Sequence, residues 1–161
     1  MKNLTVALAF LMTLSLPVSA QDFQKGYAAY EAGDYATALK EWRPLAEAGD
    51  ASAQTNLGFM YENGLGVPKD DAEAVRLYLL AADQGYANAQ TNLGAMYELG
   101  LGVLQDSVTA HMWYNIGAAN GNELGGTNRD SISKGMTQQA IEQAQQMARE
   151  CMSSNYQNCG G

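Results

Sequence analysis

The stretch AQTNLGFMYENGLGV runs from Ala53 to Val67, and AQTNLGAMYELGLGV runs from Ala89 to Val103. Laid against each other without a gap, residues 51–86 and 87–122 agree at 19 of 36 positions. Unrelated segments do not agree so well, so the chain contains an internal repeat. A period between roughly 20 and 50 residues marks an array of stacked supersecondary units.

Each copy parses as two helices. The first is expected from about Ser52 to Asn63, with Ala53, Leu57 and Tyr61 forming one apolar stripe at four-residue steps. Gly58 lies in mid-helix, where glycine costs about 1 kcal/mol against alanine; a neighbouring helix that must come very close accounts for it. The run NGLGVPKD then breaks the helix, with Gly64 placed for a left-handed turn. Asp70 or Asp71 caps the second helix, and Asp70 with Glu73 has the spacing of a capping box. Its stripe is Ala74, Tyr78 and Ala82, and Gly85 ends it; the next copy continues with Asp106, Ala110, Tyr114, Ala118 and Gly121. Small alanines on either side of each tyrosine leave room for a ring lying flat between helices.

Upstream, YEAGDYATALKEW is a shortened unit. Aligning Tyr30 with Tyr61 and Gly33 with Gly64, and placing Ala38, Trp42, Ala46 and Gly49 one period before Ala74, Tyr78, Ala82 and Gly85, makes its loop five residues shorter. Downstream, the wording of the repeat is lost but the helical pattern remains. Thr137 can cap a helix that turns Ile141, Ala144, Ala148 and Met152 inward, as a terminal unit facing water requires.

The pattern Ala53, Leu57, Gly58, Tyr61, Gly64, Gly66, Val67, Asp70, Ala74, Tyr78, Ala82 and Gly85 resembles the Sel-1-like repeat, a relative of the tetratricopeptide repeat. The partners thirty-six residues on continue it, with Trp113 beside Tyr114 at the aromatic position. The GDYATAL unit is closer to a plain tetratricopeptide repeat. With that unit the resemblance covers about 100 residues. It implies an all-α superhelix of antiparallel helix pairs and a surface that binds another protein. The expected organisation is a cleaved signal peptide over 1–20 and a tetratricopeptide-like helix pair over 21–50. Repeats follow over 51–86 and 87–122, then a helical cap over 123–161.

Three chemical alternatives weaken on inspection. GLGV lacks the Lys-Ser/Thr pair and preceding strand of a nucleotide loop. Ser131 and Lys134 fit the Ser-x-x-Lys pattern of penicillin-binding proteins and β-lactamases, but the accompanying Ser-Asp-Asn and Lys-Thr-Gly elements are missing. Disulfide-rich proteins resembling this family are described as binding or hydrolysing β-lactams, with a cysteine pair in each repeat; neither repeat here has one. His111 is the only histidine, has no companions for catalysis or metal binding, and is expected on the surface or partly packed. Met60, Met96, Met112, Met136, Met147 and Met152 read as core filling. No cofactor and no metal are called for.

Lys2, the apolar run Leu4–Leu16 and PVSA before Gln21 form a secretory signal pattern, too short to span a bilayer. The expected mature chain starts at Gln21, is exported to the periplasm or beyond, and carries eight basic against seventeen acidic residues. That balance argues against nucleic acid as a partner. In an exported chain Cys151 and Cys159 read first as a disulfide, with a thiol switch as the alternative. A bond between them needs the helix to stop in between, because eight residues of helix span about 12 Å and bridged Cα atoms lie within about 7 Å; SSN before Tyr156 is the expected stop.

In stacked helix pairs the first helices commonly line the concave binding face. Asn56, Phe59 and Asn63 share one face of theirs, with Asn92, Ala95 and Leu99 as counterparts and Lys25, Ala28 and Ala32 in the first unit. Asparagine amides both donate and accept, which suits the backbone of an extended peptide, and Phe59 supplies an aromatic anchor. Bonds from Asn56 and Asn92 to their own backbone or to neighbouring loops are the alternative, as is burial of Phe59. The favoured reading is an exported scaffold binding a protein or peptide. A small β-lactam-directed enzyme and a glycan- or peptidoglycan-binding module presenting Trp42, Trp113, Tyr86 or Tyr156 are the alternatives.

Overall fold

The computed structural model describes residues 20–157 and residue 159. The expected signal segment lies almost wholly outside them. Eight helices and no strand occur among the described residues: α1 (Ala20–Glu31), α2 (Tyr35–Glu47), α3 (Ala51–Asn63), α4 (Asp71–Ala82), α5 (Ala87–Leu99), α6 (Ser107–Ala119), α7 (Glu123–Ser133) and α8 (Gln138–Ser153). The helices of each of the first three pairs pack on each other, α2 packs on α3 and α4 on α5, and α7 and α8 both lie against α6. The fold is an all-α helical-repeat solenoid.

Helix starts follow from side-chain caps. Asp34, Asp50, Asp70, Asp106, Asn122 and Thr137 each accept a hydrogen bond from a backbone N–H of the first turn. The capping box at α4 is only half formed. Asp70 accepts from the Glu73 N–H, but the Glu73 carboxylate accepts two hydrogen bonds from Arg76, at 2.7 and 2.6 Å, instead of turning back. A guanidinium that fits both oxygens outcompetes a single backbone N–H.

The copied residues fill the contacts between helices. Tyr78 is 0% and Tyr114 1% exposed, each ring lying against a glycine of the preceding helix. A Cβ on Gly58 would lie 2.8 Å from Tyr78 Cε1, and one on Gly94 2.6 Å from Tyr114 Cδ1. The loop glycines are copied for the same reason. Cβ atoms on Gly66 and Gly102 would strike the Tyr35 Cβ at 2.7 Å and the Asp71 carbonyl oxygen at 2.4 Å, one unit back in each case. Gln54 and Gln90, buried in both copies, join consecutive units. Each Nε2 donates to the carbonyl of Ala46 or Ala82 at 3.1 Å, while each Oε1 accepts from Gln84 or Asn120.

The end of the first helix keeps its expected register. The Gly33 N–H donates to the Tyr30 carbonyl as Gly64 does to Tyr61, and the Asp34 N–H to Ala29 as Leu65 does to Met60. Further up the helix the packing is offset by one residue: Gly26 lies under Trp42 as Gly58 lies under Tyr78, with a Cβ there only 2.5 Å from Nε1. Counted from the helix end, the counterparts of Asn56, Phe59 and Asn63 are Lys25, Ala28 and Ala32. Counted from the glycine under the ring, they are Gln24, Tyr27 and Glu31.

At the other end α8 buries Ala144 and Ala148 fully, with Ile141 and Met152 half-buried. It stops at Ser153, and the chain turns through Asn155 and Tyr156 at φ 55° and 64°. Two consecutive left-handed non-glycine residues are strained and need support. The Cys151–Cys159 disulfide, with Cα atoms 4.6 Å apart, closes the turn. The Tyr156 ring packs against Gly85, and its hydroxyl accepts from Asn120 Nδ2 at 2.9 Å.

Candidate functional site

The first helices of successive units present equivalent positions, and the junctions between units show what those positions do. Between the second and third units, the Tyr78 hydroxyl donates to Glu62 Oε2 at 2.6 Å. Burial first, then Glu62, pushes this phenol far above its usual range, and the Asn92 amide acts on it in the opposite sense. The next junction repeats the arrangement. Tyr114 donates to Glu98 Oε2 at 2.6 Å; burial and Glu98 raise its pKa, and Asn128 opposes them. Both inner junctions are closed polar triads.

The first junction has the same positions and different residues. Trp42 replaces the tyrosine, and its indole N–H donates to the Phe23 carbonyl at 3.2 Å. Tyr30 replaces the glutamate and lies 5.7 Å from Trp42, ring centre to ring centre. Asn56 holds the amide position. With no hydroxyl opposite, its side chain has no hydrogen-bond partner among the described residues. Tyr27, Tyr30, Trp42, Asn56 and Phe59 line a cavity of about 240 Å³. Phe59 meets Tyr30 edge-on at 6.4 Å and 72°. Tyr27 is 48% and Phe59 40% exposed, so the cavity opens to solvent. Burial raises the Tyr30 pKa, with Tyr35, Glu31 and Tyr27 adding to the rise.

The sequence-predicted residues therefore separate. Asn56 and Phe59 come together in this cavity. Asn92 is taken up by the Tyr78 triad, and Asn63 donates to the carbonyl of Phe59 at 2.9 Å. Lys25 pairs with Glu41, and Leu99 stands 64% exposed at the end of α5. Tyr27, Tyr30 and Trp42 were missed as lining residues. Their signal was the replacement of the Tyr and Glu of the inner units by Trp42 and Tyr30, which shows only when α1 is counted from Gly26 rather than from its end.

Other candidates resolve into structure. Ser131 and Lys134 are both exposed at the end of α7, a poor setting for an activated nucleophile. His111 is 1% exposed, contrary to the expectation of a surface or partly packed residue, because it takes the core position of Val75. Trp42 and Trp113 are each 1% exposed, the Tyr86 hydroxyl accepts from Ser52, and Tyr156 is packed against Gly85. None of these four is a free flat platform for a sugar. No group of three or more His, Cys, Asp or Glu side chains placed to hold a metal ion occurs among the described residues. No helix among them is long and apolar enough to cross a membrane.

The Sel1 repeat matches residues 51–86 and 87–122. A Sel1 repeat protein from Oxalobacter formigenes is 36% identical, with a TM-score of 0.63 over 71% of this chain and 89% of that one. The chain belongs to the Sel1 repeat family. A second similar structure is c5321, a protective antigen present in uropathogenic Escherichia coli strains that displays an SLR fold. It is 29% identical, with a TM-score of 0.79 over 84% of this chain. This Sel1 repeat chain spans only 31% of the length of c5321. No curated protein matches. Sel1 repeats form helical scaffolds that typically mediate protein–protein interaction, and are generally not enzymes.

Proposed function

We propose that this Sel1 repeat protein is an exported scaffold that seats an extended segment of a partner protein on the concave face formed by α1, α3, α5 and α7. The observation that carries the reading is the Asn56 amide, free of any protein hydrogen-bond partner among the described residues, inside a solvent-open aromatic cavity. A peptide backbone passing over Asn56 offers it both a donor and an acceptor. Rigid aromatic walls supply apolar area with little ordering on binding. The inner triads hold the groove in shape. Export rests on the Lys2 to Ala20 pattern, and the Cys151–Cys159 bond is consistent with an oxidising compartment.

The test is a cross-linked pull-down from native envelope extract. The unsubstituted chain is compared with Asn56→Ala/Phe59→Ala and with Leu80→Ala, a 41% exposed leucine on α4 outside the cavity. Circular dichroism establishes that all three are equally folded. Loss of a partner with the first variant and retention with the second supports the reading. Retention by both moves the interface elsewhere, and no partner at all removes the case for a scaffold.

A further inference from the structure

We propose that the cavity at the first junction selects a cationic side chain, lysine or arginine, from the partner segment. This rests on the peptide-binding reading above and names the chemistry of its anchor. Three independent features converge on it.

The first is the make-up of the walls. Tyr27, Tyr30, Trp42 and Phe59 surround the cavity, and Tyr30 alone contacts both Trp42 and Phe59 at ring-centre distances of 5.7 and 6.4 Å. Aromatic faces carry negative potential, and several rings around one opening attract a cation. The second is the neighbouring charge. Glu31, next to Tyr30 in the chain, is close enough to act on the Tyr30 hydroxyl. Its carboxylate pairs with no cation among the described residues. Lys25, the basic residue nearest in sequence, is itself paired with Glu41. The third is the chain as a whole, whose formal net charge is −8 and favours encounter with basic segments.

The size of the cavity agrees. About 240 Å³ takes one long side chain and not a folded surface element. The Asn56 amide then lies beside the entering chain, placed to hydrogen-bond its backbone while the aliphatic stem runs between the rings. At both inner junctions a tyrosine hydroxyl bonded to a carboxylate, Tyr78 with Glu62 and Tyr114 with Glu98, stands where the first junction has two aromatic rings. One cationic anchor per partner segment is the expected stoichiometry.

The experiment uses the full chain and two acetylated, amidated nonapeptide pools. They are identical except at the central residue, which is lysine in one and norleucine in the other; remaining positions are drawn from Ala, Gly, Ser, Thr and Asn. Isothermal titration calorimetry is expected to give about 3- to 30-fold tighter binding of the lysine pool, the range of a partly desolvated cation–π contact. Phe59→Leu and Tyr27→Leu keep apolar bulk and remove the rings; each is expected to shrink that ratio. Equal binding of both pools overturns the cationic anchor and leaves the peptide scaffold standing. No binding of either pool overturns both. A lysine preference that survives both leucine variants overturns this cavity as its location.

Discussion

The first junction and the two inner junctions of the solenoid share one geometry and differ in three residues. At the inner junctions a tyrosine hydroxyl donates to a carboxylate and has an amide beside it. At the first, Trp42 and Tyr30 replace the tyrosine and the carboxylate, and the amide of Asn56 is left without a partner. A repeat array thus opens a cavity where one internal contact takes different residues. In the proposed function, architecture and recognition occupy equivalent positions in different copies.

The comparison breaks most severely if an inner triad is removed. Tyr114→Ala is expected to destabilise the protein by about 3–5 kcal/mol, as loss of a buried aromatic side chain does, measured by urea unfolding. Loss of the Cys151–Cys159 bond by double substitution to serine is expected to lower stability by about 2–3 kcal/mol in the chain-entropy model. Calorimetry reads this as a lower Tm, and a pocket at the opposite end should bind as before. Tyr78→Phe leaves the ring and removes only the hydrogen bond to Glu62, so about 1–2 kcal/mol is expected.

A conversion sharpens the comparison further. Trp42→Tyr combined with Tyr30→Glu writes the inner triad into the first junction, where Gly26 already provides the close approach. The variant is expected to fold and to lose peptide affinity, because Asn56 gains a phenol and the cavity loses the Trp42 indole and the Tyr30 ring from its walls. Retained affinity after equal folding would separate the unfinished contact from binding.

The smallest expected effect concerns pH. Burial first, then the charge of Arg129, lowers the His111 pKa, with Asp130 acting in the other direction. The unfolded imidazole titrates near about 6.5 and the folded one below it. His111 therefore contributes full stability above that value, and the contribution is lost as pH falls through the lowered folded pKa. His111→Val, the residue one unit earlier, is expected to flatten the fall in Tm between about pH 7 and pH 5.

Much of this was legible in one chain because repetition is its own alignment. Gly58 and Gly94 against their tyrosines, the cap residues Asp70 and Asp106, and the stop before Tyr156 all follow from local spacing. The candidate site was half legible. Asn56 and Phe59 share a helix face by spacing alone, whereas Tyr27, Tyr30 and Trp42 reach them from another helix pair through a shortened loop. A one-residue offset there turns each side chain of α1 by about 100°, enough to replace Ala28 with Tyr27 at the cavity wall.

The sequence by itself determined the helix pairs, their period, the glycines that let rings pass between them, and the cysteine-closed end. These are properties of a residue and its near neighbours, repeated at fixed offsets. Only the tertiary structure decided the packing offset in the first unit, the burial of His111 and which asparagine is free. Those depend on what stands opposite across a packed junction. At Asn56 that is an indole with its N–H turned to Phe23, where its counterparts meet a phenol.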